Sequence, residues 1–407
     1  MWSRTVAAMA AGCAVAFLTA ATAPDQPGGS PFAGPIAEEP SPAPEGSAQP
    51  FLHVDRGGRL RMSWLEPRDE GGYRFRIAEY RGMRWTSAAT VAEGPTLLAN
   101  WADVPSIVVT SGDTLAAHWL ELGATRGSYF VRLRTSPDGG STWTDVVTPH
   151  RDESASEHGF VSFFEAPGTG LGLVWLDGRL VAERGREGSM TLRATTIAGG
   201  QPGDEQVVDL RVCDCCPTSA ARTDRGVIVA YRDRTADEVR DISVVRYVDG
   251  RWTSPVTVGD DQWRINACPV NGPALAADGR TVAVAWFTMG GGAPRARLAW
   301  SSDGGETFGA PIDIEAGTTA GRMGLVLLDA DRALVTSIER RGETGPVIVV
   351  REVRRNGRMS DSLTVASTAS ERMFPRVAVT GRRVWFAWTD LRQGAPPQVR
   401  LASVRTR

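Results

Sequence analysis

The chain has 407 residues, 42% of them hydrophobic and 23% charged. Lys and Arg number 45 against 47 Asp and Glu, leaving a formal net charge of -2. This near-balance excludes the basic surplus of a nucleic-acid or anionic-membrane binder, and the hydrophobic share is enough for a sizeable core.

The first element is a leader. Arg4, the small apolar run from Val6 to Thr19, and Ala21-Thr22-Ala23 read as a signal peptide over residues 1–23, cleaved before Pro24. The run is too short to span a bilayer. The expected location is periplasmic or secreted, with no transmembrane segment after cleavage. Cys13 lies in mid-run and lacks the large aliphatic residue that precedes a lipidation site. Residues 24–50 are rich in Pro, Gly and Ser and read as a linker, part of which can complete the last unit of the fold.

From residue 51 to 407 one pattern recurs. A strand with an aromatic near its end appears as Met62-Ser63-Trp64-Leu65-Glu66, Ala117-His118-Trp119-Leu120-Glu121 and Leu173-Val174-Trp175-Leu176-Asp177. It continues as Val229-Ala230-Tyr231-Arg232-Asp233, Val284-Ala285-Trp286-Phe287-Thr288, Val335-Thr336-Ser337-Ile338-Glu339 and Phe386-Ala387-Trp388-Thr389-Asp390. Successive anchors are 51 to 56 residues apart, the spacing of propeller blades. Within each unit the periodicity is two, with turn signals every 8 to 12 residues and no amphipathic helix. The expectation is an all-β protein: a β-propeller of four-stranded blades. Seven blades are expected, six being the alternative if the first or sixth unit is irregular. The last unit has three strands before Arg407, so a strand from residues 32–50 would close the ring.

Two units carry a specific hairpin: Ser136-Pro137-Asp138-Gly139-Gly140-Ser141-Thr142-Trp143 and Ser301-Ser302-Asp303-Gly304-Gly305-Glu306-Thr307-Phe308. Asp accepts backbone N–H bonds inside such a turn, Gly supplies positive φ, and the aromatic packs the turn down. These hairpins resemble the Asp boxes (BNR repeats) of the sialidase superfamily, over residues 51–407. The resemblance implies the propeller fold and places the boxes away from the substrate face.

What the family's chemistry requires is not met here. A sialidase uses three arginines on the sialate carboxylate, a Tyr nucleophile with a Glu, and an Asp acid/base. The early F/Y-R-I-P signature is absent, Phe75-Arg76-Ile77-Ala78 being a third-strand string without the Pro. The five tyrosines fall at strand borders, hairpins or a repeat anchor. The resemblance therefore implies a glycan or other anionic ligand at the channel mouth. An exo-sialidase-type glycoside hydrolase is the enzymatic alternative, and a scaffold for a protein partner is a third.

The candidate binding residues lie where second strands end. An acid recurs two places after the anchor, with arginines beside it; Asp177, Arg179, Asp390 and Arg392 belong to this set. Such pairs read as a ring of ion pairs between blades or as a polar site. The unit-four segment from Tyr231 to Asp241, with Arg232, Asp233 and Arg234, is the most charged of these loop ends.

Four cysteines follow the leader: Cys213, Cys215, Cys216 and Cys268. Cys216-Pro217 and Cys268-Pro269 stand near the first strands of consecutive units, so adjacent blades should bring them together. An even count in an exported protein suggests disulfides. Three cysteines within four residues would strain one of them. The alternatives are a redox platform or a thiolate site for Cu or Zn, to which His158 at the matching position of unit three would add a ligand.

Overall fold

A computed structural model describes residue 1 and residues 30–407, apart from 111, 167–169 and 343–344. The expected signal peptide, Cys13 and the first part of the expected linker lie outside these residues. Strands form seven small antiparallel sheets, and the protein is a seven-bladed β-propeller. Among the described residues no helix is long and apolar enough to cross a membrane.

The inner strands run in order from Ala48–Val54, Ser106–Val109 and His158–Phe164 to Ser219–Thr223, Ala274–Asp278, Thr319–Leu327 and Arg376–Thr380. Each pairs with a second strand that carries the repeat anchor, for example Leu171–Asp177 or Thr281–Thr288. The second strand is sandwiched between neighbouring blades, so both of its faces are apolar and buried. Trp64, Trp119, Trp175, Tyr231 and Trp286 are each at most 1% exposed. The apolar clusters lie between blades rather than within them: Trp64 of blade one packs with Trp385 and Ala387 of blade seven, and Val227 and Val229 of blade four pack with Val174 and Leu176 of blade three.

Closure follows the expected route. Ala37–Glu39 pairs antiparallel with Gln398–Arg405 and becomes the outer strand of blade seven. The inner strand of blade one begins at Ala48, so the first blade starts inside the segment read as linker.

The two Ser-x-Asp hairpins have the geometry their sequences imply. Asp303 Oδ1 accepts from the Ser301 hydroxyl at 2.7 Å and from the Glu306 and Thr307 amides at 2.9 and 3.0 Å. Thr307 Oγ1 donates to Asp303 Oδ2 at 2.6 Å, and Asp138 repeats the set in blade two. Gly305 adopts φ 85°, and a Cβ there would meet Ile228 Cδ1 of blade four at 2.1 Å. The hairpins follow the third strands of their blades, at the end opposite the connections that carry the cysteines.

One element was not expected. Arg179–Arg184 forms a short α-helix between the second and third strands of blade three. It buries no residue, so it leaves no apolar periodicity in the sequence.

Candidate binding sites at the channel mouth

Second-to-third-strand loops and the connections between blades share one end of the propeller. The charged loop of blade four is here, and its side chains are committed internally. Arg232, 1% exposed, donates to the carbonyls of Asn271 at 2.9 and 2.8 Å and of Phe287 at 2.7 Å, and stacks over Trp263. It ties blade four to blade five. Asp233 accepts from the Ser243 hydroxyl and the Arg234 amide. Arg234 grips Glu238 through two nitrogens and reaches Asp214 at 3.0 Å.

The other nominated pairs close within single blades. Asp177 is sealed from solvent and bonds Arg179 Nε and Nη2, both at 2.7 Å, and Trp175 Nε1 at 2.9 Å. Asp390 pairs with Arg392 at 2.7 Å. Glu66, Glu121 and Glu339 likewise meet arginines of their own blade's third strand. The expected blade-to-blade ring is replaced by in-blade pairing because antiparallel register sets the acid opposite the start of the third strand, as Glu66 opposite Arg74.

The cysteines converge as the repeat alignment implied. Cys213, Cys215 and Cys216 leave the outer strand of blade three, and Cys268 comes from the next connection, between blades four and five. The Sγ atoms of the first three lie within 4.8 Å of one another, Cys213 and Cys216 at 3.3 Å. Cys268 is close enough for the Cys215 side chain to push its thiol down. All four are free thiols, and the described residues contain no disulfide. Arg240 Nη1 points at Cys213 Sγ from 3.3 Å. Hydrogen bonds from the Cys215 and Cys216 thiols, aided by the charge of Arg232, push the Cys213 thiol down, while its neighbours Cys215 and Cys216 are pushed up.

His158 belongs to a different group. Its Nε2 lies 2.9 Å from Asp152 and 3.6 Å from Asp177, its Nδ1 faces the Tyr129 carbonyl, and its ring stacks on His150 at 4.0 Å. Asp152, His158 and Asp177 form their own cluster. Beside the cysteines runs a groove of about 700 Å³ lined by Glu157, Asp214, Arg234, Glu238 and Asn266. Burial and the charge of Asp214 raise the Glu157 carboxyl.

The channel itself holds what sequence reasoning missed. A cavity of about 280 Å³ is lined by Arg376, Asp103, Ser106, Ser162, Thr218 and Ser219. Arg376 opens the inner strand of blade seven. Its guanidinium lies over Phe51 at 5.2 Å, its Nε is buried without a partner, and among the described residues it has no carboxylate partner. Burial pushes it down to about 10. Thr218 Oγ1 donates its one proton to the Phe160 carbonyl and so accepts from Ser162 Oγ at 2.8 Å, whereas Ser219 Oγ accepts from the Leu275 amide and keeps its proton to donate. Asp103 accepts from the Phe160 amide at 2.7 Å, and burial pushes its carboxyl up to about 7. A sequence signal for Arg376 existed. Pro precedes the first residue of the inner strand in Pro105-Ser106, Pro273-Ala274 and Pro375-Arg376, and only the last puts a long cation at that channel-lining place.

No protein-family model matches the chain, and no curated protein matches it significantly. Among solved structures it is similar to a protein of unknown function from Dyadobacter fermentans, at 13% identity and TM-score 0.50, over 90% of this chain and 96% of that one. Fainter likenesses join it to the NanB sialidase from Streptococcus pneumoniae (10% identity, TM-score 0.47, 85% and 83% covered). Another is to an α-L-arabinofuranosidase from Fusarium graminearum (10%, TM-score 0.49, 91% and 97%). At such identities the likeness concerns the fold.

Proposed function

We propose that this propeller is an exported glycan-binding protein that takes an acidic sugar into its channel, with the carboxylate on Arg376 and sugar oxygens on Ser162 and Ser219. The observation that carries this reading is the guanidinium of Arg376, without a carboxylate partner among the described residues, in a cavity that also presents the Ser219 hydroxyl with its proton free to donate. Taking a cation out of water without a counter-charge costs several kcal/mol, and a ligand carboxylate removes that cost. The arginines of the loops support the choice of the channel over the rim, because Arg232, Arg234, Arg179 and Arg392 already have partners. A hydrolytic variant of the reading rests on Asp103, whose raised carboxyl would be a proton donor at neutral pH.

Calorimetric titration of the purified protein with glucuronate, N-acetylneuraminate and neutral galactose tests the reading. The acidic sugars should bind and the neutral one at least about ten times more weakly, a gap of about 1.4 kcal/mol. Arg376→Met should lose the acidic ligands while melting at a higher temperature, because a desolvated charge has gone. Equal affinity for neutral and acidic sugars, or unchanged binding by the variant, contradicts it. Turnover of a fluorogenic sialoside that ceases in Asp103→Asn would add hydrolysis to binding.

A further inference from the structure

A second site stands apart from the channel cavity. We infer that Cys213, Cys215, Cys216 and Cys268 together form a binding site for one thiophilic closed-shell metal ion, Zn2+ or Cu+. Three observations carry it.

The first is geometry. Cys213 and Cys216 are spaced as a C-x-x-C turn, with Cys215 between them and Cys268 arriving from the neighbouring connection. Zinc–sulfur bonds of about 2.3 Å in a tetrahedron set ligand sulfurs about 3.8 Å apart. The three clustered Sγ atoms lie within 4.8 Å of each other, the nearest pair at 3.3 Å. Three of the four sulfurs therefore already stand near ligand spacing, and Cys268 comes from the neighbouring connection as the fourth. Two thiols are buried, one is half-buried and Cys268 is exposed, which leaves a path for metal entry.

The second is the donor beside one sulfur. Cys213 Sγ receives Arg240 Nη1 at 3.3 Å. A cationic donor aimed at a sulfur favours a thiolate, the ligand form.

The third is charge. Arg322 donates to the carbonyls of Val270 and Glu371, stacks on Trp101 and Phe374, and has no carboxylate partner among the described residues. Charge on Cys216, and then on Glu371, acts on it to favour its cationic form. A tetrathiolate centre is net negative with either ion, so it adds to the counter-charge of Arg322, whereas Arg240 already pairs with Glu238 at 2.8 Å. Two disulfides would be neutral and would leave Arg322 with the charge of Glu371 alone. Metal binding is a ligand exchange: each thiol that coordinates releases its proton to solvent, and no oxidant is needed.

The test uses the whole mature protein, purified without reductant or chelator. Elemental analysis should find about one equivalent of Zn or Cu per chain, and the thiols should become titratable only after the metal is removed. Refilling the reduced apoprotein with Co2+ should give the intense visible bands of a tetrahedral thiolate site. Cys215→Ser should weaken metal binding by at least about tenfold. Cys268→Ser, at the exposed position, serves where the buried change prevents folding, and should retain binding of acidic sugar. Two disulfides in the protein as isolated, or no Zn2+, Cu+ or Co2+ binding after reduction, overturns the inference.

Discussion

Three histidines show how strongly the interior of this wheel prefers neutral groups. Burial pushes His118 down to about 3. His53 falls to about 4, through burial and then Arg61, and His150 to about 3, through burial and then His158. The unfolded chain takes up these protons near pH 6.5, whereas the folded one resists them to about pH 3–4. Each histidine's contribution is therefore intact above pH 6.5 and lost as the pH falls toward its folded value. Asp103 opposes the trend, since its raised carboxyl binds a proton in the folded state first. Removing one imidazole isolates one term. His118→Leu should flatten the slope of unfolding free energy between pH 6 and 4.5 by up to about 1.4 kcal/mol per pH unit. Urea titrations at several pH values measure it, and an unaltered slope would show that His118 is protonated in the native protein.

At the scale of the strand and the turn, Asp303 organises the blade-five hairpin through four hydrogen bonds from Ser301, Glu306 and Thr307. That hairpin rests on Ile228 of the preceding blade. Asp303→Ala should lower stability by about 1–3 kcal/mol, read by denaturant unfolding, because amides in a fixed turn lose their acceptor. A loss under about 0.5 kcal/mol would mean the glycines alone hold the turn. This motif was readable in the sequence because its chemistry is local. The anchors were readable for another reason: a strand pressed between two blades must be apolar on both faces, and a large aromatic marks its end. Arg232 was opaque, and Arg376 only partly marked, because their surroundings are assembled from other blades. Arg232 looked like a rim cation but bonds to carbonyls some 40 and 55 residues away in sequence. For Arg376 the preceding Pro375 marks the start of an inner strand, and only the closed ring turns that place toward the channel. The cysteines fell between these cases. Repeat spacing brought Cys268 to the cluster, whereas the grouping of His158 with Asp152 and Asp177 required the fold of an irregular loop.

For the molecule as a whole, everything at the channel depends on closure. Arg376 sits on blade seven, and the cavity it lines is completed by strands of blades one to four. Blade seven is in turn completed by the segment before blade one. Phe32 is 2% exposed in the apolar layer between blades six and seven, Glu39 pairs with Arg383 and accepts from Ser403 Oγ at 2.6 Å, and Pro31 accepts from the Arg407 amide. Deleting residues 30–40 removes a buried aromatic, for about 3–5 kcal/mol, and bares the edge of Gln398–Arg405. An open edge recruits other chains. The truncated protein should therefore melt earlier and self-associate in sedimentation velocity, and should bind acidic sugars more weakly although no channel residue has changed. A synthetic peptide spanning residues 30–41, added in trans, should occupy the edge and reverse all three effects, as strand addition does elsewhere. A truncated chain as stable and monomeric as the parent would mean that blades one and seven hold together through the Trp64–Trp385 layer alone.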